Sequence, residues 1–133
     1  MTETTRQHPM PRPATPSEVI EQLSRCLTAG DVPAALALYE PEAAFLPQPG
    51  QRIHGLDAIR EALEGFTALR PTLTGEIEQV IEAGGTALVA NRWTLDGTRP
   101  DDGSAVHFGG LSADVLRRRG DGTWGILIDN PWG

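Results

Sequence analysis

The sequence predicts an α+β domain in which three N-terminal helices pack on a strongly curved antiparallel sheet. Three observations carry this. Apolar residues recur at helical spacing through most of the first half, and they alternate with polar residues in the second. Asp-Gly pairs then punctuate the alternating part, as hairpin turns require. Helices grouped ahead of strands is the α+β order, and 133 residues are enough for one domain around a single core.

Residues 1–14 are polar and rich in proline, and read as a flexible or extended arm ahead of a domain spanning 15–133. Thr15-Pro16-Ser17-Glu18 reads as a capping box, with Thr15 as N-cap, Pro16 at N1 and Glu18 at N3. Val19, Ile20, Leu23, Cys26 and Leu27 form the apolar face of that helix, and Gly30 stops it. Asp31 caps a second helix carrying Val32, Ala35, Leu36 and Tyr39, ended by Pro41. A short strand over 43–47 follows, then a turn and a brief extended piece at 51–54. Leu56, Ile59, Leu63 and Phe66 mark a third helix, closed before Pro71. Strands are predicted over 73–81, 86–95, 105–118 and 124–130, with turns at Asp96-Gly97, Asp102-Gly103 and Asp121-Gly122.

The net charge of −7 argues against nucleic acid, which needs a basic surface. All eleven basic residues are arginine, so Schiff-base chemistry and the Walker phosphate loop, which need a lysine, are absent. One cysteine excludes an intrachain disulfide, and three scattered histidines lack metal-ligand spacing, so no metal is expected. No apolar run reaches the roughly 20 residues of a membrane span, and no signal-peptide core is visible, which makes a cytoplasmic protein the expectation.

Three stretches, AGDVPAALALYEPEAAF, IHGLDAIREAL and ADVLRRRGDGTWGILIDNPWG, stand in an order and spacing that resembles the SnoaL-like, ketosteroid-isomerase-like branch of the NTF2-like superfamily over about residues 16–133. The resemblance implies a cone-shaped fold with an apolar pocket for a small hydrophobic or aromatic ligand and no cofactor; a homodimer is expected from Phe108 and Trp93 on the outer sheet face. Laid on the isomerases of that superfamily, the base falls at Pro47, the tyrosine at Cys26 and the donor aspartate at Leu111, so their catalytic groups are missing. Epoxide-hydrolase relatives would use Arg92, but Thr94 stands where the paired carboxylate belongs. Polyketide cyclases acting through a pocket carboxylate are the nearest enzymatic analogy.

Within that frame Asp129 is the expected acid or base, because a carboxylate among apolar walls has its pKa raised by desolvation. If Arg92 faces inward it stabilises an oxyanion; a register shift of one puts Asn91 and Trp93 inside instead. His107 is expected at the pocket mouth. Tyr39, Leu111, Ala113, Leu127 and Trp132 are expected to line the ligand site, while Phe108 and Trp93 would face outward at a dimer contact. Three functions stay open: a cofactor-independent cyclase or isomerase on a polyketide-like or other small carbonyl substrate, a non-catalytic binder of a hydrophobic molecule, or a dimerisation module.

Overall fold

The structure, a computed structural model, describes residues 12–133. Most of the proposed arm therefore lies outside the described residues. Where the chain is first described, Arg12 pairs with Asp121, and the Pro13 carbonyl accepts a hydrogen bond from the Trp124 N–H at 3.2 Å.

Helix α1 spans Pro16–Ala29 and carries the capping box: the Thr15 hydroxyl accepts from the Glu18 N–H, and the Glu18 carboxylate accepts from the Thr15 N–H. Gly30 ends it in the left-handed region at φ 75°, where a side chain would be strained. Helix α2, Val32–Leu36, is capped by the Asp31 carboxylate, which accepts from the Ala34 N–H. It is shorter than its periodicity suggests. Tyr39 through Pro41 belong instead to the first strand, β1 (Tyr39–Gln48). Pro41 is tolerated there because the ladder to the neighbouring strand is irregular between Tyr39 and Ala44.

Strand β2 (Gln51–His54) and helix α3 (Leu56–Thr67) follow, then β3 (Thr72–Ala83) and β4 (Thr86–Thr98). The long strand expected over 105–118 is two strands, β5 (Ala105–Leu111) and β6 (Asp114–Arg118). The joint between them is held by the Ser112 N–H to the Asn91 carbonyl and the Ala113 N–H to the Asn130 carbonyl. Strand β7 (Trp124–Asp129) is last. The sheet runs β2-β1-β7-β6-β4-β3, with β5 paired to β4. All its pairings are antiparallel except β1 with β7, which run parallel.

Two bulges shape the sheet. Glu78 is the extra residue of β3 against β4, and Leu127 is the extra residue of β7 against β6. The second has a direct consequence: Ile126 and Asp129, three apart, both turn inward. The helices lie over the inner face, burying Val19, Ile59, Leu63, Val89, Leu116 and Ile126 almost completely. Among the described residues no helix is long and apolar enough to cross a membrane.

An ion cluster spans the ends of the adjacent strands β1, β7 and β6. Glu40, nearly buried, accepts from Arg117 at 2.8 Å and Arg119 at 2.6 Å. Burial raises its pKa, but the hydrogen bonds and charges of the two arginines outweigh that and hold it below the usual range. Gly125 sits under this cluster: a methyl group there would come within 2.3 Å of a Glu40 oxygen and 2.6 Å of the Arg119 Nε. Gly125→Ala should therefore shift the Glu40 and Arg119 side-chain ends and cost about 1–3 kcal/mol, read by urea denaturation.

Candidate functional site

The inner face of the sheet presents a small set of polar side chains among apolar ones. Along β4 the inward residues are Ala87, Val89, Asn91, Trp93 and Leu95; along β6 they are Asp114 and Leu116. Of these, Asn91, Trp93, Leu95 and Asp114 line, with Asp129 from β7 and Tyr39 from β1, a cavity of about 90 Å³ under α1 and α3. Its apolar wall includes Ile20, Leu23, Phe45 and Phe66.

Two carboxyl groups and a phenol meet on this wall. Asp114 is 4 % exposed and Asp129 7 %. The Tyr39 hydroxyl donates to Asp129 Oδ2 at 2.5 Å, and the Asp114 carboxyl lies beside that of Asp129, close enough for a proton on one to be shared with the other. The Asn130 N–H donates to Asp114 Oδ1 at 2.9 Å, and the Ser112 hydroxyl also bonds Asp114. Burial drives the Asp114 pKa well above the carboxylate range, reinforced by the charge of Asp129 and opposed by Ser112 and Asn130. Burial likewise raises Asp129, against the hydrogen bonds from Tyr39 and Asp114. Tyr39 is held protonated by burial first and then by the neighbouring Asp129. Two like charges this close cannot both ionise cheaply, so the pair holds one proton and offers an acid beside a base.

A second, larger hollow of about 900 Å³ adjoins, bordered by Pro47, Ile53, Ala62, Leu69, Arg99 and Phe108. Phe66, Trp93 and Trp132 border both spaces. Trp93 and Trp132 meet edge to face, 5.3 Å between centroids, and each indole N–H is fixed to a carbonyl, Trp93 to Pro131 at 2.7 Å and Trp132 to Leu46 at 3.0 Å.

The SnoaL-like domain family model matches residues 20–124. The chain belongs to the SnoaL-like domain family. Solved structures agree on the fold. An NTF2-like superfamily protein from Salmonella enterica is similar at 20% identity and TM-score 0.76, over 85% of this chain and 84% of that one. A ketosteroid isomerase-like protein from Erwinia carotovora is similar at 18% and 0.75, over 85% and 88%. An NTF2-like protein of unknown function from Shewanella oneidensis is similar at 21% and 0.65, over 86% and 97%. Likeness at these identities shows the fold alone. No curated protein matches the chain.

Set on this SnoaL-like frame, the residues expected from sequence separate into two groups. Asp129, Tyr39 and Trp132 line the inner cavity. Arg92 does not: its guanidinium lies outside the sheet, 2.7 Å from Glu78, and Trp93 takes the inward position in its place. An unpaired arginine inside would have to be desolvated, whereas outside it keeps its partner and water. His107 is exposed and bonds Asp96 across the β5–β4 ladder at 2.7 Å, away from either hollow. Leu111 is 39 % exposed at the end of β5, because the joint at Ser112 reverses the expected parity and turns Ser112 and Asp114 inward. Ala113, half-buried in that joint, and Leu127, the bulge residue, are likewise not on the cavity wall. Cys26, where the isomerase tyrosine would fall, is packed in the core, with its thiol pKa raised by burial and then by Asp31. Asp114 was not foreseen; the signal that could have found it is the mirror-image parity of 112–116. Among the described residues no three His, Cys, Asp or Glu side chains are placed to hold a metal.

Proposed function

We propose that this SnoaL-like domain is a cofactor-independent acid–base enzyme, of isomerase or cyclase type, acting on a small neutral carbonyl compound. The observation that supports it is the pair of buried carboxyl groups, Asp129 and Asp114, with the Tyr39 hydroxyl on Asp129, on the wall of an apolar cavity. Asp129 takes a proton from the carbon beside the carbonyl. The C–H electrons form the enolate double bond and the carbonyl π electrons move to oxygen. As Asp129 loses its charge, the O–H groups of Asp114 and Tyr39 are released from it to the enolate oxygen. Asp129 then returns the proton to another carbon.

Size limits the substrate. An engineered cavity of roughly 150 Å³ holds a benzene molecule, so a space of about 90 Å³ admits only the reacting end of a larger compound. The rest would lie in the outer hollow, past Trp93 and Trp132. The test is proton exchange at the α-carbon of small ketones such as cyclopentanone and 1-indanone in D2O, followed by NMR. Exchange no faster than in buffer, across a panel spanning these sizes, would end the proposal.

One observation favours ligand binding without turnover. Both strong donors, Tyr39 and Asp114, are already spent on Asp129 rather than aimed at the cavity. In that case ligand affinity survives and no exchange is seen.

The assembly we propose is a homodimer through the outer sheet face. There Ile81, Leu88, Val115 and Ile128 are neighbours across four strands, and three of them are well exposed. Phe108, expected on that face, is exposed but lies opposite inward Leu95 and borders the outer hollow, and Trp93 is inward too, so neither is part of such a contact. Sedimentation should give twice the chain mass for the protein and a monomer for Leu88→Glu; a monomeric parent protein would refute the dimer.

A further inference from the structure

The charge of the inner cavity has a chemical meaning separate from turnover. Of the residues that line it, two are aspartates and none is arginine or histidine. Of the arginines on or beside the sheet, Arg92 pairs with Glu78 and Arg117 and Arg119 with Glu40, Arg52 and Arg118 line neither hollow, and Arg99 borders only the outer one. A buried carboxylate without a cation is costly to hold. Here it is relieved only by a shared proton and by neutral donors.

A second, independent observation points the same way. Asn91 is 7 % exposed and lies between the cavity and a shallow groove at Gly75, yet its carboxamide makes no hydrogen bond to any described residue, while its backbone N–H and carbonyl are bonded to Ser112. A buried amide left open in this way is matched when a ligand donates to its oxygen. The remaining wall is aromatic, with the rings of Tyr39, Phe45, Phe66, Trp93 and Trp132 around the acid pair. Ring faces attract cations, most strongly when water is excluded.

We propose that the cavity is a site for a small organic ammonium ion, with its N–H groups shared between Asp129 and the Asn91 carboxamide oxygen and its carbon skeleton against the aromatic rings. This uses the same cavity as the catalytic reading but needs no turnover. Carboxylates and phosphates are excluded by the same charge.

The experiment compares three probes of nearly one shape: isobutylammonium, isobutanol and isobutyrate, titrated into the full chain and followed by amide-resolved NMR. The ammonium ion is expected to bind about tenfold or more tightly than the alcohol, as a charge-assisted contact implies, with shifts centred on Tyr39, Asn91 and Asp129. Isobutyrate should show no saturable shift. In Asp129→Asn the ammonium should fall to the affinity of the alcohol. Isobutanol binding as tightly as the ammonium, or saturable isobutyrate binding in the cavity, would overturn the proposal, and so would an unchanged ammonium affinity in a folded Asp129→Asn. Should that variant not fold, the ranking of the three probes on the parent protein decides alone. Absence of ketone exchange with the ranking intact ends the catalytic reading and leaves this one standing; exchange with the ranking reversed does the opposite.

Discussion

Asp129→Asn is expected to slow ketone α-exchange by about 10²–10⁴-fold, the usual worth of a positioned general base. The substituted amide keeps the shape, and its oxygen can still accept from the Tyr39 hydroxyl. It cannot take a proton. Binding should therefore survive where the rate does not, and the two are separated by measuring exchange as a function of ketone concentration. Tyr39→Phe leaves the carboxylate in place but removes one of its two donors, so it should lower the rate far less. An Asp129→Asn protein that exchanges as fast as the parent would remove this residue from the chemistry.

Asp114→Asn is expected to stabilise the fold at neutral and mildly alkaline pH, by about 1–3 kcal/mol, because it replaces a buried ionisable group with a neutral one of the same shape. Asparagine can reproduce the protonated state: its oxygen accepts from the Asn130 N–H and its amide donates to Asp129. The pH dependence carries the stronger signature. Both aspartates have folded pKa values raised above those of the unfolded chain. The folded state thus holds more protons once pH exceeds the ordinary carboxylate range. Stability is greatest below that range and falls as pH rises through the raised values. Losing Asp114 removes much of this decline, so thermal melts of parent and variant should agree in mild acid and diverge with increasing pH. Curves that stay parallel would mean the pair does not share its proton.

Much of the fold was legible because its signals are local. Thr15, Glu18, Gly30 and Asp31 act on backbone groups within a few residues, and each stands where its chemistry implies. The second helix was read too long because Tyr39 falls four residues after Ala35, the spacing of a helix face, although its burial is due to β1 packing against β7. Three of the eight residues expected at the site, Asp129, Tyr39 and Trp132, lie on the cavity wall. What failed was parity, in three places and for two reasons. A bulge at Leu127 and a joint at Ser112–Ala113 each break the two-residue alternation, and neither is fixed by residue type alone. On β4 the burial of polar Asn91 blurred the pattern, so that Arg92 and Trp93 exchanged faces.

The parallel partnership of β1 and β7 sets when the reactive groups can meet. Tyr39 and Asp129 are 90 positions apart along the polypeptide, and their hydrogen bond joins the first strand to the last. Contacts of such separation are slow to form, since a long loop must close before they bring any gain. The proposed acid–base site is therefore assembled only with the final closure of the sheet, and a partly folded chain lacks it. Any compound held between those two side chains also clamps the two ends of the topology together, and should protect the whole molecule from unfolding as its concentration rises.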